Sequence, residues 1–306
     1  MSANIPTHYV SQFSTNLQLL LQQKGSKLRG TVTEGKYSGK AASPVDQVAA
    51  VAAQRVTGRF QAMPRVDALL DRRWVYPVDY DLPQLIDTFD KLRLIMDPQS
   101  TFATNAMLAM GRAMDDEIIA NYFADAKTGE TGGTTTAFGT TLTTAGTPGQ
   151  NVSVSTGGTA SGFNVAKLRE AKLALGQAEV DFDMDQIITV CKERQHDNLL
   201  NEVQIISSDF NGGDRPVLKE GRIERFLGID IKTCERLQTG TDDAAGTSTM
   251  VPVYAKSGMH LGVWNDIENS IGQREDIRGK PYQLYSIGTF GATRTEEKKM
   301  VRVWCR

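Results

Sequence analysis

One stretch of the sequence, residues 97–126, constrains the fold most because it predicts a single long helix. Asp97 can cap its N-terminus, and Pro98 then occupies the first helical position, where a missing N–H has no cost. The helix would be roughly 40 Å long, about the width of a small domain. An apolar stripe recurs at spacings of three and four and is expected to pack against the chain's own sheet. It comprises Met107, Met110, Met114, Ile118 and Tyr122.

The charged side chains of this predicted helix are Arg112 and the run Asp115, Asp116 and Glu117. A solvated helix face is the ordinary explanation for such a run. We therefore expect these side chains to face outward, and we expect no chemistry along the helix.

The charge of the chain is unevenly distributed although its total is close to neutral. The 306 residues carry a formal net charge of −2, so a general basic coat for nucleic acid is absent. Residues 1–60 hold seven Lys or Arg against Glu34 and Asp46, a net charge of +5, and the remainder therefore sums to −7. A basic arm of this kind can contact nucleic acid or an acidic neighbouring subunit, or it can be a solvated tail.

Cysteine usage and hydropathy argue against several other classes of protein. Cys191, Cys234 and Cys305 are odd in number and widely spaced, which is typical of a reducing compartment rather than of a disulfide framework or a zinc site. The sequence has no stretch of about 18 apolar residues and no signal-peptide pattern. We therefore expect no membrane partner and no secretion by a signal peptide.

Residues 1–45 are expected to form an arm rather than a folded unit. A short helix is predicted over residues 9–23, and the following part is rich in Gly, Ser and Lys. Such a segment has little to bury and becomes ordered only against another surface.

Two strand-like runs, residues 55–63 and 71–80, predict a hairpin that is rich in arginine. Pro64 and Pro77 exclude both runs from the middle of a well-paired sheet, and an isolated hairpin is marginally stable in water. Arginine with interleaved aromatic residues is the composition favoured at protein–protein contacts, while stacking on nucleic acid is an alternative. The candidate inter-subunit contact residues are Arg55, Arg59, Arg65, Arg72, Arg73 and Trp74.

The flanks of the long helix are expected to contribute little to a core. A short amphipathic helix is predicted over residues 82–94. Residues 127–162 are almost entirely Gly, Thr, Ser and Ala. This composition favours a flexible loop, or a thin hairpin of residues 140–144 with 151–155.

The second half of the chain alternates helices and strands without a repeating βαβ unit. Helices are predicted over residues 163–180 and 194–201, and a buried β-branched strand over 186–191. The last strand, residues 300–306, has Val301, Val303 and Cys305 on one face and Met300, Arg302 and Trp304 on the other. The fold class is therefore α+β, and a doubly wound nucleotide-binding sheet is not expected.

The sequence offers no catalytic constellation and no cofactor site. Asp181, Asp183 and Asp185 have the spacing of a calcium loop's opening. The glycine and the glutamate that such a loop requires are replaced by Gln186 and Lys192, so the match fails. The glycine-rich GETGGTTT lacks the lysine and the preceding strand of a phosphate cradle. We expect no metal and no cofactor, and we interpret the aspartates as a solvated turn.

The order of these parts resembles the tailed-bacteriophage major capsid proteins, which have the Hong Kong 97-type shell fold. The shared parts are a basic arm, an arginine-rich hairpin, a long helix, a variable loop, a compact α/β segment and a closing sheet. Three phrases are similar as well: IITVCKERQHDNLL at residues 187–200, GRIERFLGIDIKTCERL at 221–237 and IGTFGATRTEEKKMVRVWC at 287–305. The resemblance covers most of the chain, and its phrases carry no catalytic signature.

This resemblance implies a division of the chain. Residues 1–53 would be the N-terminal arm, and residues 54–85 the extended hairpin, called the E-loop, that reaches over a neighbour. Residues 86–194 would be the peripheral domain, which contains the long helix as its spine and the flexible loop. Residues 195–270 would form the axial domain, and residues 271–306 the closing strands that return to the peripheral domain.

The implied function is that of a major capsid protein that assembles into the icosahedral head of a tailed double-stranded DNA phage. It would be a virion component, assembled in the cytoplasm of the host bacterium, with no enzymatic activity. The implied partners are further copies of the chain, as pentamers and hexamers, and the packaged DNA, which it would contact non-specifically. Scaffolding, portal and decoration proteins are further candidates.

Two further expectations and two alternatives complete this interpretation. Some relatives lock their shells with a Lys–Asn isopeptide bond, but residues 54–85 contain no lysine, so this chemistry is not expected. No long N-terminal segment of the kind removed as a built-in scaffold is recognised, so a separate scaffolding protein is expected. The alternatives are an encapsulin-like nanocompartment shell protein and an unrecognised α+β enzyme.

Overall fold

The structure is a computed structural model that describes residues 21–55, 58, 65–86, 99–143, 149–202 and 221–306. Within these ranges the helices are α1 (Gln99–Asn121), α2 (Val165–Gln177) and α3 (Glu193–Leu200). The strands are β1 (Thr33–Lys36), β2 (Ala42–Val48), β3 (Leu70–Val75), β4 (Val78–Ile86), β5 (Ala126–Thr128), β6 (Thr134–Thr136), β7 (Asn151–Val152), β8 (Ile187–Cys191), β9 (Arg225–Phe226), β10 (Ile229–Thr233), β11 (Thr239–Thr241), β12 (Thr247–Ala255), β13 (Met259–Gln273), β14 (Tyr282–Arg294) and β15 (Met300–Cys305). None of these helices is long and apolar enough to cross a membrane.

A seven-stranded mixed sheet forms the centre of the fold. Its strand order is β7-β15-β12-β8-β10-β9, and β11 pairs with the end of β12. All five residues of β8 are buried, because other elements cover both faces of the sheet at this strand. The strand predicted over residues 186–191 is confirmed, and its continuous run of β-branched residues is typical of this central position.

Helix α2 covers one face of this sheet. Leu168, Ala171 and Leu175 are buried in one cluster with residues of β8, β12 and β15. Asn164 caps the helix, since its side-chain oxygen accepts a hydrogen bond from the backbone N–H of Lys167 at 2.8 Å. The helices predicted over residues 163–180 and 194–201 are confirmed as α2 and α3.

The last strand separates two cores, as its alternation predicted. Val301, Val303 and Cys305 lie in the cluster beneath α2. Met300 lies in the second cluster, on the opposite face of the sheet, together with helix α1. Because successive side chains of a strand point to opposite faces, β15 contributes to both cores.

Helix α1 packs between the seven-stranded sheet and a four-stranded sheet of order β1-β13-β14-β4. Met110, Met114, Ile118 and Tyr122 are buried, which confirms most of the predicted stripe. Met107 is half exposed, because β14 approaches the helix at Met110, one turn further on.

Helix α1 ends at Asn121, five residues before the predicted end. The buried Arg294 donates from Nη1 to the backbone carbonyl oxygens of Tyr122, at 3.0 Å, and of Ala124. A cation in this place satisfies carbonyl groups that have no partner within the helix. The predicted N-terminal cap lies outside the described residues.

The helix predicted over residues 82–94 is wrong for the part that the structure describes. Residues 82–86 belong to β4, which pairs with β14 from Val78 opposite Phe290 to Ile86 opposite Tyr282. Tertiary pairing with this long strand overrides the local helical pattern. Pro83 is tolerated because β4 lies at the edge of the sheet.

The third sheet has the order β2-β3-β5-β6. The predicted pairing of the arginine-rich strand with residues 55–63 is wrong for β3, which pairs along its length with β2 and, at Arg73 and Trp74, with β5. We call β2, β3 and the residues between them the hairpin. Its two long strands are antiparallel, with Val48 of β2 opposite Leu70 of β3. The strand predicted over residues 71–80 is split, since β3 pairs with β2 whereas β4 pairs with β14. Most of the strand predicted over residues 55–63 lies outside the described residues.

Residues 127–162 pack more tightly than their composition predicted. Phe138, Val152 and Val154 are buried. Val152 belongs to the cluster beneath α2, and Phe138 belongs to the cluster that contains α1. The expectation that this segment packs no core is therefore wrong, because a few apolar side chains suffice when they insert between larger elements. The thin hairpin predicted for residues 140–144 with 151–155 is wrong for the part that the structure describes: Leu142 and Asn151 form an isolated parallel bridge, in which the backbone N–H of Thr143 donates to the carbonyl of Asn151 at 2.7 Å, whereas the strands of a hairpin are antiparallel.

Candidate inter-subunit surface

No site for metal or thiol chemistry stands out in the described part of the chain. It contains no group of three His, Cys, Asp or Glu side chains that could hold a metal ion. The three cysteines are free and buried, and burial raises the pKa of the Cys191 and Cys305 thiols to about 12. A thiol with so high a pKa is not a nucleophile at neutral pH.

Arg73 is buried at the base of the hairpin. Its Nη1 and Nη2 donate to the two carboxylate oxygens of Glu297 at 2.7 and 2.6 Å, and its Nε donates to Gln47 at 3.3 Å. This bidentate pair joins β3 to the turn between β14 and β15. Arg73 thus serves a contact within the chain, and its side chain is 4% exposed.

Glu297 lies between two buried guanidinium groups. Nη2 of Arg294 is 3.8 Å from Glu297 Oε1, and the Nε and Nη2 of Arg294 have no hydrogen-bond partner. Burial lowers the pKa of Arg294 to about 10, so the group stays charged at neutral pH. Because Arg294 also holds the end of helix α1, Glu297 joins the base of the hairpin to that helix. Sequence reasoning did not single out Arg294 or Glu297.

Arg72 and Trp74 lie on the face of β3 opposite the buried Arg73. Arg72 pairs with Asp46 of β2, with Nε 2.6 Å from Oδ1, and its guanidinium carbon is 5.8 Å from the centroid of the Trp74 ring. The indole Nε1 of Trp74 donates to the carbonyl of Gly129 at 2.7 Å. Both side chains remain partly accessible.

The other predicted contact residues are distributed along the hairpin. Arg55 is exposed, and Arg65 is exposed and pairs with Asp67 at 3.0 Å. Arg59 lies outside the described residues. The structure therefore brings Arg72 and Trp74 together and keeps Arg73 inside.

The end of the hairpin, residues 48–70, exposes large apolar side chains. Leu69 and Leu70 expose 80% and 78% of their surface, although burying one such side chain stabilises a protein by about 1.5–3 kcal/mol. Among the described residues of this end, the exposed large apolar side chains are Val48, Val51, Val66, Leu69 and Leu70. Clusters of this kind mark interaction surfaces. Sequence reasoning missed them because it considered only arginines and aromatics, and the available signal was the apolar run VDALL at residues 66–70.

Asp115 ties the N-terminal segment to helix α1. It is fully buried, and its carboxylate accepts hydrogen bonds from the side chains of Gln23 and Ser26. It also accepts from the backbone N–H groups of Lys27 and Leu28, at 2.9 and 3.1 Å. The expectation that Asp115 faces outward is wrong, because residues 22–28 lie over this part of the helix.

The close approach of this segment requires glycine at position 111, one turn before Asp115. A Cβ atom at Gly111 would lie 2.7 Å from the backbone nitrogen of Ser26. The other charged residues of the helix also have partners within the chain. Arg112 donates to Gln22, Asp116 pairs with Arg236, and Glu117 accepts from the Tyr80 hydroxyl.

The fold is that of known phage capsid shells. The chain aligns with the capsid of cyanophage P-SCSP1u over 98% of its own length and 93% of that chain, with a TM-score of 0.70 and 13% identity. For the cyanophage Pam1 capsid asymmetric unit the two coverages are 99%, the TM-score is 0.74 and the identity is 12%. For the capsid of Ralstonia phage GP4 the coverages are 100% and 99%, the TM-score is 0.68 and the identity is 11%. At these identities the likeness establishes the fold alone.

The family of the chain is shown by its sequence rather than by the likeness of its fold. No curated protein sequence matches the chain. A family model described as phage capsid protein matches residues 5–306. The chain therefore belongs to the phage capsid protein family: it is a structural component of the virion and not an enzyme. The resemblance seen in the sequence and the α+β class are confirmed, and the enzyme alternative is excluded.

Proposed function

We propose that this chain is the major subunit of a tailed-phage head, which assembles as pentamers and hexamers into an icosahedral shell around double-stranded DNA. The structures with its fold are described as a capsid asymmetric unit and as a capsid with C5 symmetry, which supports self-assembly. Net charge close to zero suits a wall that neither repels its own copies nor holds the packaged DNA tightly. Scaffolding, portal and decoration proteins remain candidate partners.

The observation that carries this proposal is the exposed apolar end of the hairpin. An isolated subunit would leave five large apolar side chains of residues 48–70 in water. Contact with a neighbouring copy would bury them, so stability would lie partly in the interfaces. Arg55, Arg59, Arg65, Arg72 and Trp74 are the proposed polar and aromatic contacts around this end. Arg73 supports the base of the hairpin from inside the chain.

The domain assignment is part of the proposal. We assign residues 1–53 to the N-terminal arm, with β2 also forming the first strand of the E-loop, and α1 to the spine of the peripheral domain. The seven-stranded sheet with α2 and α3 corresponds to the axial domain. We therefore propose that the axial domain begins before residue 195, the boundary that the resemblance implied. The reason is that β8 and α2 pack in the same core as β10 and β12. The proposed axial domain also takes in the closing strand β15.

Replacing Leu69 and Leu70 together with aspartate is expected to abolish assembly while the subunit stays folded. Both side chains are exposed in the single chain, so the change costs the fold little. An interface that buries this end would have to bury two carboxylate groups in place of its apolar contact, which is unfavourable. Electron microscopy and analytical ultracentrifugation, with a scaffold partner where one exists, measure the particles. Circular dichroism measures the fold.

The matched control replaces the same two leucines with methionine, which keeps the apolar surface. We expect this control to form shells of normal size. Normal shells from the aspartate variant would contradict the proposed role of the hairpin end.

A further inference from the structure

A second set of exposed apolar side chains lies on helix α2 and in the turn between this helix and strand β8. Met184 exposes 86% of its surface, Leu173 exposes 47% and Phe182 exposes 38%. We call this group, together with the exposed carboxylates Glu179, Asp181 and Asp183, the acidic patch. Methionine is a flexible side chain that adapts to irregular partners, so its exposure here suits a contact surface.

The acidic patch carries negative charge, and among the described residues no ion pair involves Glu179, Asp181 or Asp183. Residues 179–185 contain four carboxylates and no Lys or Arg. The neighbouring Lys172 is engaged elsewhere: its Nζ donates to the carbonyl of Leu227 at 2.7 Å and lies 5.4 Å from the centroid of the Phe182 ring. The patch therefore presents apolar side chains surrounded by carboxylates.

The turn that carries the patch is held in one conformation. A carboxylate oxygen of Asp181 accepts from the backbone N–H groups of Asp183 and Met184, at 2.9 and 3.2 Å. Asp185 accepts from the hydroxyl of Ser257 at 2.5 Å. A surface that is ordered before binding loses less conformational entropy on association.

The hairpin end has the complementary chemistry. The sequence of residues 48–70 contains three arginines and one aspartate, a net charge of +2. The described part of this segment adds five exposed apolar side chains. We propose that the acidic patch of one copy binds the hairpin end of a second copy of this chain. The proposal rests on the proposed function and names the surface that receives the hairpin. Opposite charges around an apolar contact would set the orientation of the two copies.

Photo-cross-linking tests the contact directly. A benzophenone-bearing amino acid replaces Met184, and particles are assembled from a mixture of isotope-labelled and unlabelled full-length chains. We expect mass spectrometry to find the cross-link between residue 184 of one copy and residues 48–70 of another. Cross-links to any other segment, or none between copies, would overturn the proposal.

A charge exchange tests the electrostatic part. The patch variant carries Glu179→Arg and Asp183→Arg, and it leaves Asp181 in place because that carboxylate holds the turn. The hairpin variant carries Arg55→Asp and Arg65→Asp. Each variant alone is expected to lose particles, and a chain with all four changes is expected to recover them. The matched control combines the hairpin variant with Asp81→Arg and Glu268→Arg, two exposed acids of β4 and β13, and is expected not to recover them.

The outcomes separate the two proposals. No particles from the unmodified chain, with a scaffold partner included, would reject the proposed function and this inference with it. Normal shells from the Leu69 and Leu70 aspartate variant would reject the role of the hairpin end and therefore this inference, but not the proposed function. Loss of shells in that variant, combined with normal shells from the patch variant, would reject the inference alone. Recovery in the matched control as well would show that total charge, rather than this contact, governs assembly, and would also reject the inference.

Discussion

Replacing Asp115 with alanine is expected to release residues 22–28 from helix α1 and to lower the free energy of unfolding by about 3–5 kcal/mol. The carboxylate accepts hydrogen bonds from two side chains and two backbone N–H groups. Alanine would leave these donors without an acceptor, and the N–H of Leu28 lies in a buried contact. Denaturant unfolding measures the loss, and hydrogen exchange at Lys27 and Leu28 reports the release of the segment.

The neighbouring Asp116 provides the matched control for this prediction. Its ion pair with Arg236 lies on the surface, with both side chains substantially exposed. We expect Asp116→Ala to change the free energy of unfolding by about 1 kcal/mol or less. Equal effects of the two substitutions, or unchanged exchange at residues 27 and 28 in Asp115→Ala, would show that the N-terminal segment is not held by Asp115.

Replacing Glu297 with alanine is expected to have a similarly large effect, about 3–5 kcal/mol, and to loosen the hairpin. The substitution would leave the buried Arg73 without its bidentate partner. It would also remove the one carboxylate that, among the described residues, forms an ion pair with Arg294. Unpaired buried charges are costly, so β3 should detach from the turn before β15. Thermal unfolding measures the stability, and hydrogen exchange in β3 measures the detachment.

The adjacent Glu296 allows a control in the same turn. Its carboxylate lies 3.7 Å from Nζ of Lys299, and both side chains are partly exposed. Glu296→Ala is expected to leave both the stability and the exchange in β3 nearly unchanged. If Glu297→Ala behaved in the same way, the two buried arginines would need another source of stabilisation.

The arginine pair of the hairpin must therefore be tested one residue at a time. Changing Arg72 alone disturbs a surface pair with Asp46 and reports on assembly. Changing Arg73 disturbs the pair with Glu297 and reports first on the fold. A double substitution would mix these two effects.

Local hydrophobic periodicity predicted the helices and strands correctly where the structure of a segment depends mainly on its own sequence. The β-branched run of β8, the helical spacing in α1 and α2 and the alternation in β15 each reflect a local hydrophobic period. The helix predicted over residues 82–94 failed because the pairing of β4 with β14 joins segments about 200 residues apart. The apolar residues Phe138, Val152 and Val154 were missed in a polar segment because their burial depends on the elements that surround them.

The sequence by itself determined the class of fold, the long helix and the order of parts that resembles phage capsid proteins, because these depend on composition and local periodicity. Only the tertiary structure decided which charged residues are buried. Asp115 accepts hydrogen bonds from residues about 90 positions away, and Arg73 reaches Glu297 across 224 positions. A charged side chain can be buried only where it has such partners. These partners come from distant parts of the chain, so no local pattern in the sequence indicates them. The same reason separates Arg73, which supports the hairpin from within, from the neighbouring Arg72, which stays at its surface.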